Sequence, residues 1–264
     1  MKFVTTTVDE DGIAVVSYSR PPVNAFNNEA YAEMEKAFRD LRFNEDVRVI
    51  ILYSPDKWFS VGNDVKEAGA NPTYEMEQSN LLGIQSVEKR IRESPVPVIA
   101  AIRGYAIGAG LGFVMNSDFI VASETAKITM PEMKVGILGG WVGGLHNIVP
   151  ESMVRYMIYT SKAVPCTELV KYGGIFKVVP DDQLLDAAKD LARELTRNGP
   201  VAIKWARRCM NIYRDRGNEE HRAYGDLLKE LYFEDHWDER VEAIESFNGH
   251  REPNYKRPGS KKDE

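Results

Sequence analysis

Cysteine is scarce in this chain of 264 residues, which contains only Cys166 and Cys209. Two cysteines so far apart in sequence provide neither a disulfide framework nor the paired thiolates of a zinc site. The composition therefore fits a reducing compartment, and we expect a cytoplasmic protein without a bound metal.

Long apolar runs are also missing. The first ten residues contain no basic segment followed by an apolar stretch, so we expect no export signal. The most apolar window, residues 96–121, is interrupted by Arg103, Asn116, Asp118 and several glycines. Because such a window is poor material for a membrane span, it predicts a buried strand, turn and helix. We expect no membrane partner.

Positive charge is not in excess. The chain has 34 Lys and Arg against 40 Asp and Glu, a formal net charge of −6, and no long basic block. This balance disfavours a nucleic-acid partner. A small basic cluster of Lys204, Arg207 and Arg208 predicts a solvated helix face, with a site for a local polyanion such as a nucleotide phosphate as the alternative.

Several catalytic motifs are absent as well. The glycines at 108, 110 and 112 do not have the G-x-G-x-x-G spacing, and no acidic residue ends a strand about twenty positions later, which disfavours dinucleotide binding. No Gly-x-Ser-x-Gly or His-Glu-x-x-His occurs, so neither a serine hydrolase triad nor a zinc protease is supported. A lone histidine such as His146 is more typical of a hydrogen-bonded structural residue.

What the chain does contain is an alternation of strand and helix patterns. Hydrophobic content of 43% supports a large core. Apolar periodicity predicts strands at 12–18, 47–53, 96–102, 119–122 and 174–179, with helices at 27–42, 74–92 and 152–159. From residue 181 onward helical periodicity dominates. The predicted class is α/β with parallel pairing, divided into a core domain (1–200), a C-terminal helical segment (201–256) and a disordered tail (257–264).

Two glycine-containing turns, 59–64 and 104–112, carry most of the functional information. Each follows a β-branched run, at 47–53 and 96–102 respectively, and leads toward a helical stretch. Such turns can aim backbone N–H groups outward, and a converging pair of these donors forms an oxyanion hole. The two turns therefore indicate chemistry at a carbonyl group.

Glu132 lies in an apolar segment at 130–136, directly after an apparent strand. An apolar setting disfavours the charged carboxylate, which is how a general acid or base is tuned toward neutral pH. The alternative is a glutamate at a helix N-terminus that interacts with the helix dipole. At this point both interpretations stay open.

Together these segments resemble the enoyl-CoA hydratase/isomerase (crotonase) family from about residue 12 to residue 256. The resemblance is carried by residues 20–25, 59–67, 97–110, 118–122, 131–136 and 251–255. It implies the crotonase-type spiral of ββα repeats with a C-terminal helical trimerisation segment. It also implies a homotrimer or a dimer of trimers.

The resemblance further implies the site. The thioester carbonyl would lie between the amides of Asn63 and Ala109, and Glu132 would transfer protons. Coenzyme A would be part of the acyl-CoA substrate rather than a separate cofactor, with its adenine near 22–26 and Lys66 near its entrance. The substrate-binding residues implied are Val23, Asn24, Ala25, Phe26, Gly62, Asp64, Lys66, Gly108, Gly110, Gly140 and Trp141.

This sequence departs from the hydratase pattern at one position. The hydratases of the family typically use two glutamates, of which the second corresponds to Glu132 and the first to Gly112, which has no side chain. The aspartate that the family's dehalogenases use as a nucleophile corresponds to Gly140. Glu132 is then the single catalytic glutamate expected. Gly112→Glu is predicted to raise hydration of crotonyl-CoA if the pocket geometry is intact, and to give no benefit if the natural reaction needs room at this position. The candidates for positioning water beside it are Tyr74, Glu75, Trp141 and His146.

The resulting expectation is an enoyl-CoA hydratase or dehydratase-type lyase that works through a stabilised enolate. Double-bond isomerisation is the alternative. Decarboxylase or hydrolase activity and a non-catalytic CoA- or RNA-binding member of the family stay open beyond that.

Overall fold

The central feature is a six-stranded sheet surrounded by helices, seen in a computed structural model that describes residues 1–64, 74–131 and 142–216, with 242, 245, 246, 249–251 and 254. The strands are β1 (Val4–Val8), β2 (Ile13–Tyr18), β3 (Val49–Tyr53), β4 (Val98–Ile102), β5 (Tyr105–Ile107), β6 (Phe119–Ser123), β7 (Lys127–Thr129), β8 (Val164–Pro165) and β9 (Lys177–Val179). The α-helices are α1 (Asn28–Arg42), α2 (Tyr74–Arg92), α3 (Ala109–Met115), α4 (Glu151–Thr160), α5 (Cys166–Leu169), α6 (Leu184–Thr196) and α7 (Pro200–Arg216). Short 3-10 helices lie at Val142–Asn147, Val170–Tyr172 and Asp181–Gln183.

The large sheet has the order β1-β2-β3-β4-β6-β9. The pair β1–β2 is antiparallel, and every other pair in this sheet is parallel. Parallel strands joined through helices bury both faces of a sheet. The predicted parallel α/β architecture is therefore confirmed.

Strict alternation along the central strands sends successive side chains to two separate cores. In β3, Ile50 and Leu52 join the larger core beneath α1, α2 and α3. Val49 and Ile51 join the second core, which α6 covers with Leu184, Ala188, Leu191 and Ala192. The sheet thus holds α3 on one face and α6 on the other.

Four short or edge strands were missed by the sequence analysis. β1 lies at the edge of the large sheet, and β5, β7 and β8 form a second, three-stranded sheet in which β5–β7 is parallel and β7–β8 antiparallel. The last three strands span only two or three residues each, too few for an alternation to be recognised. The strand predicted at 174–179 is confined to β9.

The interpretation of Arg207 as part of a solvated face is wrong. Its side chain is only 5% exposed, and its Nε donates to both carboxylate oxygens of Asp118, at 2.9 and 2.7 Å. Its remaining N–H groups donate to the backbone carbonyls of Ile91, Arg92 and Ser94 at 2.6–2.8 Å. Arg207 therefore fastens α7 to the C-terminal end of α2, whereas its neighbours Lys204 and Arg208 are exposed as predicted.

The C-terminal helical segment is described only in part. Helix α7 covers its beginning, and most of residues 217–256 and the whole tail 257–264 lie outside the described residues. No helix in the described part of the chain is both long and apolar enough to cross a membrane.

Candidate functional site

The turn at 59–64 lies between two backbone segments that fix its direction. On one side the amide of Ser60 donates to Tyr105 O at 2.9 Å, and the amide of Ile107 donates to Ser60 O at 3.0 Å. On the other side the amide of Phe26 donates to Gly62 O at 2.7 Å, and Phe26 O accepts from the next amide but one, that of residue 64, at 2.8 Å. In such a parallel bridge the residue between the two bonds directs its own N–H to the opposite side. The amide of Asn63 is thereby directed toward the side of β5.

The second turn ends where helix α3 begins. Gly108 is the N-cap, with φ 51° and ψ −121°, and the first helical bond runs from the amide of Gly112 to Gly108 O at 2.9 Å. The first amides of a helix have no acceptor within it, so the amide of Ala109 is available. Within the described residues, no backbone carbonyl accepts from the amide of Ala109 or of Asn63.

Glycine allows these two turns to approach each other closely. Gly62 has φ +85°, and a Cβ added to it would lie 2.9 Å from Ile107 O and 3.2 Å from the amide nitrogen of Ala109. The peptide bond that follows Gly62 carries the amide of Asn63. The two unbonded amides therefore belong to backbone segments in direct contact.

Ser60 is a positioning residue that the sequence analysis did not identify. It is fully buried, its Oγ donates to Asn24 O at 2.7 Å, and the same oxygen accepts from the amide of Gly62 at 3.0 Å. A Cβ on Gly110 would lie 2.7 Å from the Cβ of Ser60. One hydroxyl thus ties the first turn to the segment at 23–26, and α3 packs directly against it.

The segment at 23–26, predicted to contact adenine, serves here as backbone support for the turn. Asn24 is buried with φ 55°, and its Nδ2 donates to Ser54 Oγ at 2.8 Å and Trp58 O at 2.7 Å. Ala25 and Phe26 are also buried, whereas Val23 is half-buried and its carbonyl accepts from the amide of residue 61 at 3.3 Å. Contact of this segment with coenzyme A stays a prediction.

Asp64 ends the first turn in an ion pair with Arg20. Arg20 Nη1 lies 2.7 Å from Asp64 Oδ2 and donates to Ala25 O at 3.0 Å. Both side chains are largely buried, at 23% and 16% exposure. Arg20 therefore links the end of the turn at 59–64 to the backbone of the segment at 23–26.

Tyr31, a residue of α1, holds the side chain of Asn63. The hydroxyl of Tyr31 donates to Asn63 Oδ1, and its ring packs against Phe26 and Phe113 with centroids 5.1 and 6.3 Å away. Burial raises the pKa of Tyr31, so its hydroxyl stays protonated and remains a donor. No sequence motif distinguishes this tyrosine from other core aromatics.

The space next to Gly112 is occupied by a side chain from another helix, which the sequence did not indicate. A Cβ on Gly112 would lie 2.3 Å from Glu88 Oε1, a carboxylate oxygen that α2 directs at α3. Burial raises the pKa of Glu88 to about 7, although the positive charge of Arg92 lowers it. A second carboxyl group therefore lies beside α3.

The other predicted site residues are distributed as follows. Glu132, Lys66, Gly140 and Trp141 lie outside the described residues, as do the side chains of Tyr74 and Glu75. His146 lies on the surface, where its Nε2 pairs with the carboxylate of Glu151. No cluster of metal ligands occurs in the described part of the chain.

Two cavities lie elsewhere in the described structure. One, of about 570 Å³, lies between α3, α6 and α7, and the other, of about 690 Å³, lies beside Tyr172 and Pro150. Neither is lined by the turns that carry the unbonded amides.

Comparison with known proteins identifies the family. A family model described as enoyl-CoA hydratase/isomerase matches residues 9–258. The chain therefore belongs to the enoyl-CoA hydratase/isomerase family, which acts on acyl-CoA substrates, and the resemblance seen in the sequence is confirmed.

Three relatives illustrate the range of the family. A Rhodococcus jostii protein named (7aS)-7a-methyl-1,5-dioxo-2,3,5,6,7,7a-hexahydro-1H-indene-carboxyl-CoA hydrolase is 34% identical over 79% of this chain and 80% of its own. A carnitinyl-CoA dehydratase from Salmonella enteritidis is 30% identical over 92% of this chain and 95% of its own. A crystal structure of an enoyl-CoA hydratase from Mycobacterium smegmatis superimposes with a TM-score of 0.89 and 24% identity, over 96% of this chain and 98% of that one. The fold is that of the crotonases.

Proposed function

We propose that this protein adds water to, or eliminates it from, an acyl-CoA thioester through an enolate, with Glu132 transferring protons. The observation that carries the proposal is the pair of amides at Asn63 and Ala109, which have no backbone acceptor among the described residues and lie on turns in contact at Gly62. Two such donors stabilise the negative charge that develops on a thioester oxygen as an enolate forms. The positive end of α3 favours the same charge.

The path of the chain supports a role for Glu132 near these amides. Strand β7 pairs with β5, with Thr129 opposite Ile107, and the amide of Gly108 donates to Thr129 O at 3.4 Å. Glu132 follows Thr129 by three residues. The strand that leads to Glu132 therefore runs beside the strand that leads to the amide of Ala109.

The two curated relatives favour chemistry that uses water. One is named a dehydratase and the other a hydrolase, and both names specify a CoA thioester. Hydrolysis of an acyl-CoA compound is therefore the second candidate, with a cyclic acyl group suggested by the name of the Rhodococcus protein. Double-bond isomerisation, which needs only proton transfer, is a third possibility from the sequence.

The three reactions are separated by labelling. The protein is incubated with enoyl-, 3-hydroxyacyl- and aryl-CoA thioesters in ¹⁸O water, and the products are analysed by mass spectrometry. Hydration adds one labelled water across the double bond of the thioester. Hydrolysis breaks a bond and leaves the labelled oxygen in one of the cleavage products. Isomerisation leaves the mass of the thioester unchanged. We expect hydration or dehydration.

The matched variants are Glu132→Gln and Glu124→Gln, the latter at an exposed glutamate after β6. Loss of the acid/base group should lower kcat/KM at least about 10²-fold, with thioester binding little changed. Glu124→Gln should behave as the unaltered protein. Full activity of Glu132→Gln on the identified substrate would refute the mechanism.

The assembly and location belong to the same proposal. A trimer or a dimer of trimers built through residues beyond about 200, in the cytoplasm, stays a prediction. Light scattering at micromolar concentration tests the assembly, and a monomer would contradict it.

A further inference from the structure

Helix α2 carries a carboxyl group for which the function proposed above has no use. Glu88 Oε1 is buried and has no hydrogen-bond partner within the described structure. A buried polar atom without a partner reduces stability, and ionisable groups whose pKa is shifted by burial are frequent at functional sites. The surroundings of Glu88 therefore need a functional explanation.

The Glu88 carboxyl group lies against Gly112, which is one helical turn along α3 from the amide of Ala109. Gly112 follows Ala109 by three residues in α3, and residues at this spacing are neighbours on one helix face, roughly 5–6 Å apart. Outside α3 itself, the atoms of Glu88 are the only described atoms within 4 Å of a Cβ placed on Gly112. The missing side chain of α3 is thus replaced, in space, by one that comes from α2.

We propose that Glu88 is a second catalytic carboxyl group, which reaches from α2 into the space that Gly112 leaves open and exchanges a proton with the α carbon of the thioester enolate. This inference rests on the function proposed above. It assigns to the site two carboxyl groups from different elements, Glu88 and Glu132.

The proton transfers balance in the direction of water addition. The water oxygen bonds to the β carbon, the Glu132 carboxylate takes a proton from this water, and the double-bond electrons move into the thioester as an enolate. The neutral Glu88 carboxyl group then gives its proton to the α carbon as the enolate electrons form the C–H bond. Exchange with solvent restores both groups, and elimination follows the same steps in reverse.

The protonation state of Glu88 suits this task. A pKa of about 7 makes the neutral acid abundant near neutral pH, where an acid/base catalyst is most effective. The charged group that acts on it is Arg92, four residues later in α2, whose positive charge lowers the pKa. From α1 the neutral hydroxyl of Tyr31 faces it, and the charge of Glu88 in turn raises the pKa of Tyr31. A purely structural role as the helix partner of Arg92 would call for the charged form, which burial disfavours.

The first test compares Glu88→Gln with Glu93→Gln, a matched change at an exposed glutamate just beyond α2. Hydration of crotonyl-CoA and α-proton exchange of butyryl-CoA in D2O are measured from pH 5 to 9. Glu88→Gln should lower kcat/KM about 10²-fold and remove the limb of the pH profile near pH 7. Glu93→Gln should keep both, and binding of acetoacetyl-CoA should be the same in all three proteins.

The second test moves the carboxyl group from one helix to the other. Gly112→Glu alone brings two carboxyl groups into one space, so we expect no gain in crotonyl-CoA hydration. The gain forecast from the sequence applied only to a pocket with room at this position. Glu88→Ala removes the obstacle, and the double variant Glu88→Ala/Gly112→Glu should regain about tenfold over Glu88→Ala. A merely structural glutamate would not be replaced in this way.

The outcomes separate this inference from the proposed function. Unaltered rates and pH profile in Glu88→Gln, together with loss of activity in Glu132→Gln, would overturn the role of Glu88 and leave the proposed function intact. The role of Glu88 would also be overturned if Glu88→Gln binds acetoacetyl-CoA and keeps the limb of the pH profile near pH 7, while the activity of the double variant does not exceed that of Glu88→Ala. Absence of enolate formation from every thioester in the unaltered protein would overturn both.

Discussion

Replacing Glu88 by Gln should stabilise the protein at alkaline pH while impairing its activity. The pKa of this carboxyl group rises from 4.5 to about 7 on folding because burial disfavours its charge. Between these values the folded state holds a proton that the unfolded chain has released. Stability therefore falls as pH rises through this window, and the full cost is present above pH 7.

The magnitude follows from the two pKa values. Each pH unit between them corresponds to about 1.4 kcal/mol, so ionised Glu88 costs about 3 kcal/mol at pH 8 and about 1 kcal/mol at pH 5. Glutamine has no proton to lose. The difference in unfolding free energy between Glu88→Gln and the unaltered protein should therefore grow by about 2 kcal/mol from pH 5 to pH 8.

The assay is urea unfolding of both proteins at matched protein concentration and at several pH values, since assembly makes stability depend on concentration. Arg92 stays charged across this range, so its contribution cancels in the difference. Equal pH dependence of the two proteins would show that Glu88 titrates normally, and the argument from burial would fail.

Two further predictions concern the supports of the site. Gly62→Ala should lower kcat/KM about 10²-fold, because the added Cβ would push the two turns apart. The control Gly173→Ala has the same φ of 85° but no atom within 4 Å of the added Cβ, so it should retain activity, and equal losses in the two variants would point to backbone strain alone. Arg207→Met should lower the free energy of unfolding by about 3–5 kcal/mol, because it leaves the Asp118 carboxylate without its ion-pair partner. The control Arg208→Met, at an exposed arginine, should change this free energy little, and similar losses in the two variants would contradict a stabilising role of the buried ion pair.

Local patterns predicted the elements of this fold well where the segments are long. Helices α1 and α2 and strands β2, β3, β4 and β6 begin and end within about two residues of the prediction. The short strand β7 escaped notice because three residues carry no periodicity, although it directs the chain toward Glu132. The length of a segment therefore decided whether its secondary structure could be predicted from the sequence.

The candidate site was predictable only in its backbone part. Glycines after strands indicated the turns at Asn63 and Ala109, since their conformation follows from local sequence. Glu88 was not foreseen because it is distant in sequence from Gly112, and only the packing of α2 on α3 brings them together. Ser60 and Tyr31 were missed for the same reason.

The arginine that fastens α7 limits how this chain can be recombined with relatives. Three of its hydrogen bonds end on carbonyls near the end of α2, and one of these carbonyls belongs to Arg92, one helical turn beyond Glu88. A chimera that exchanges the sequence after residue 200 must therefore bring an arginine to position 207. Without it, the last turn of α2 would lose its anchor, and a change made in the C-terminal helices would be detected as altered proton transfer.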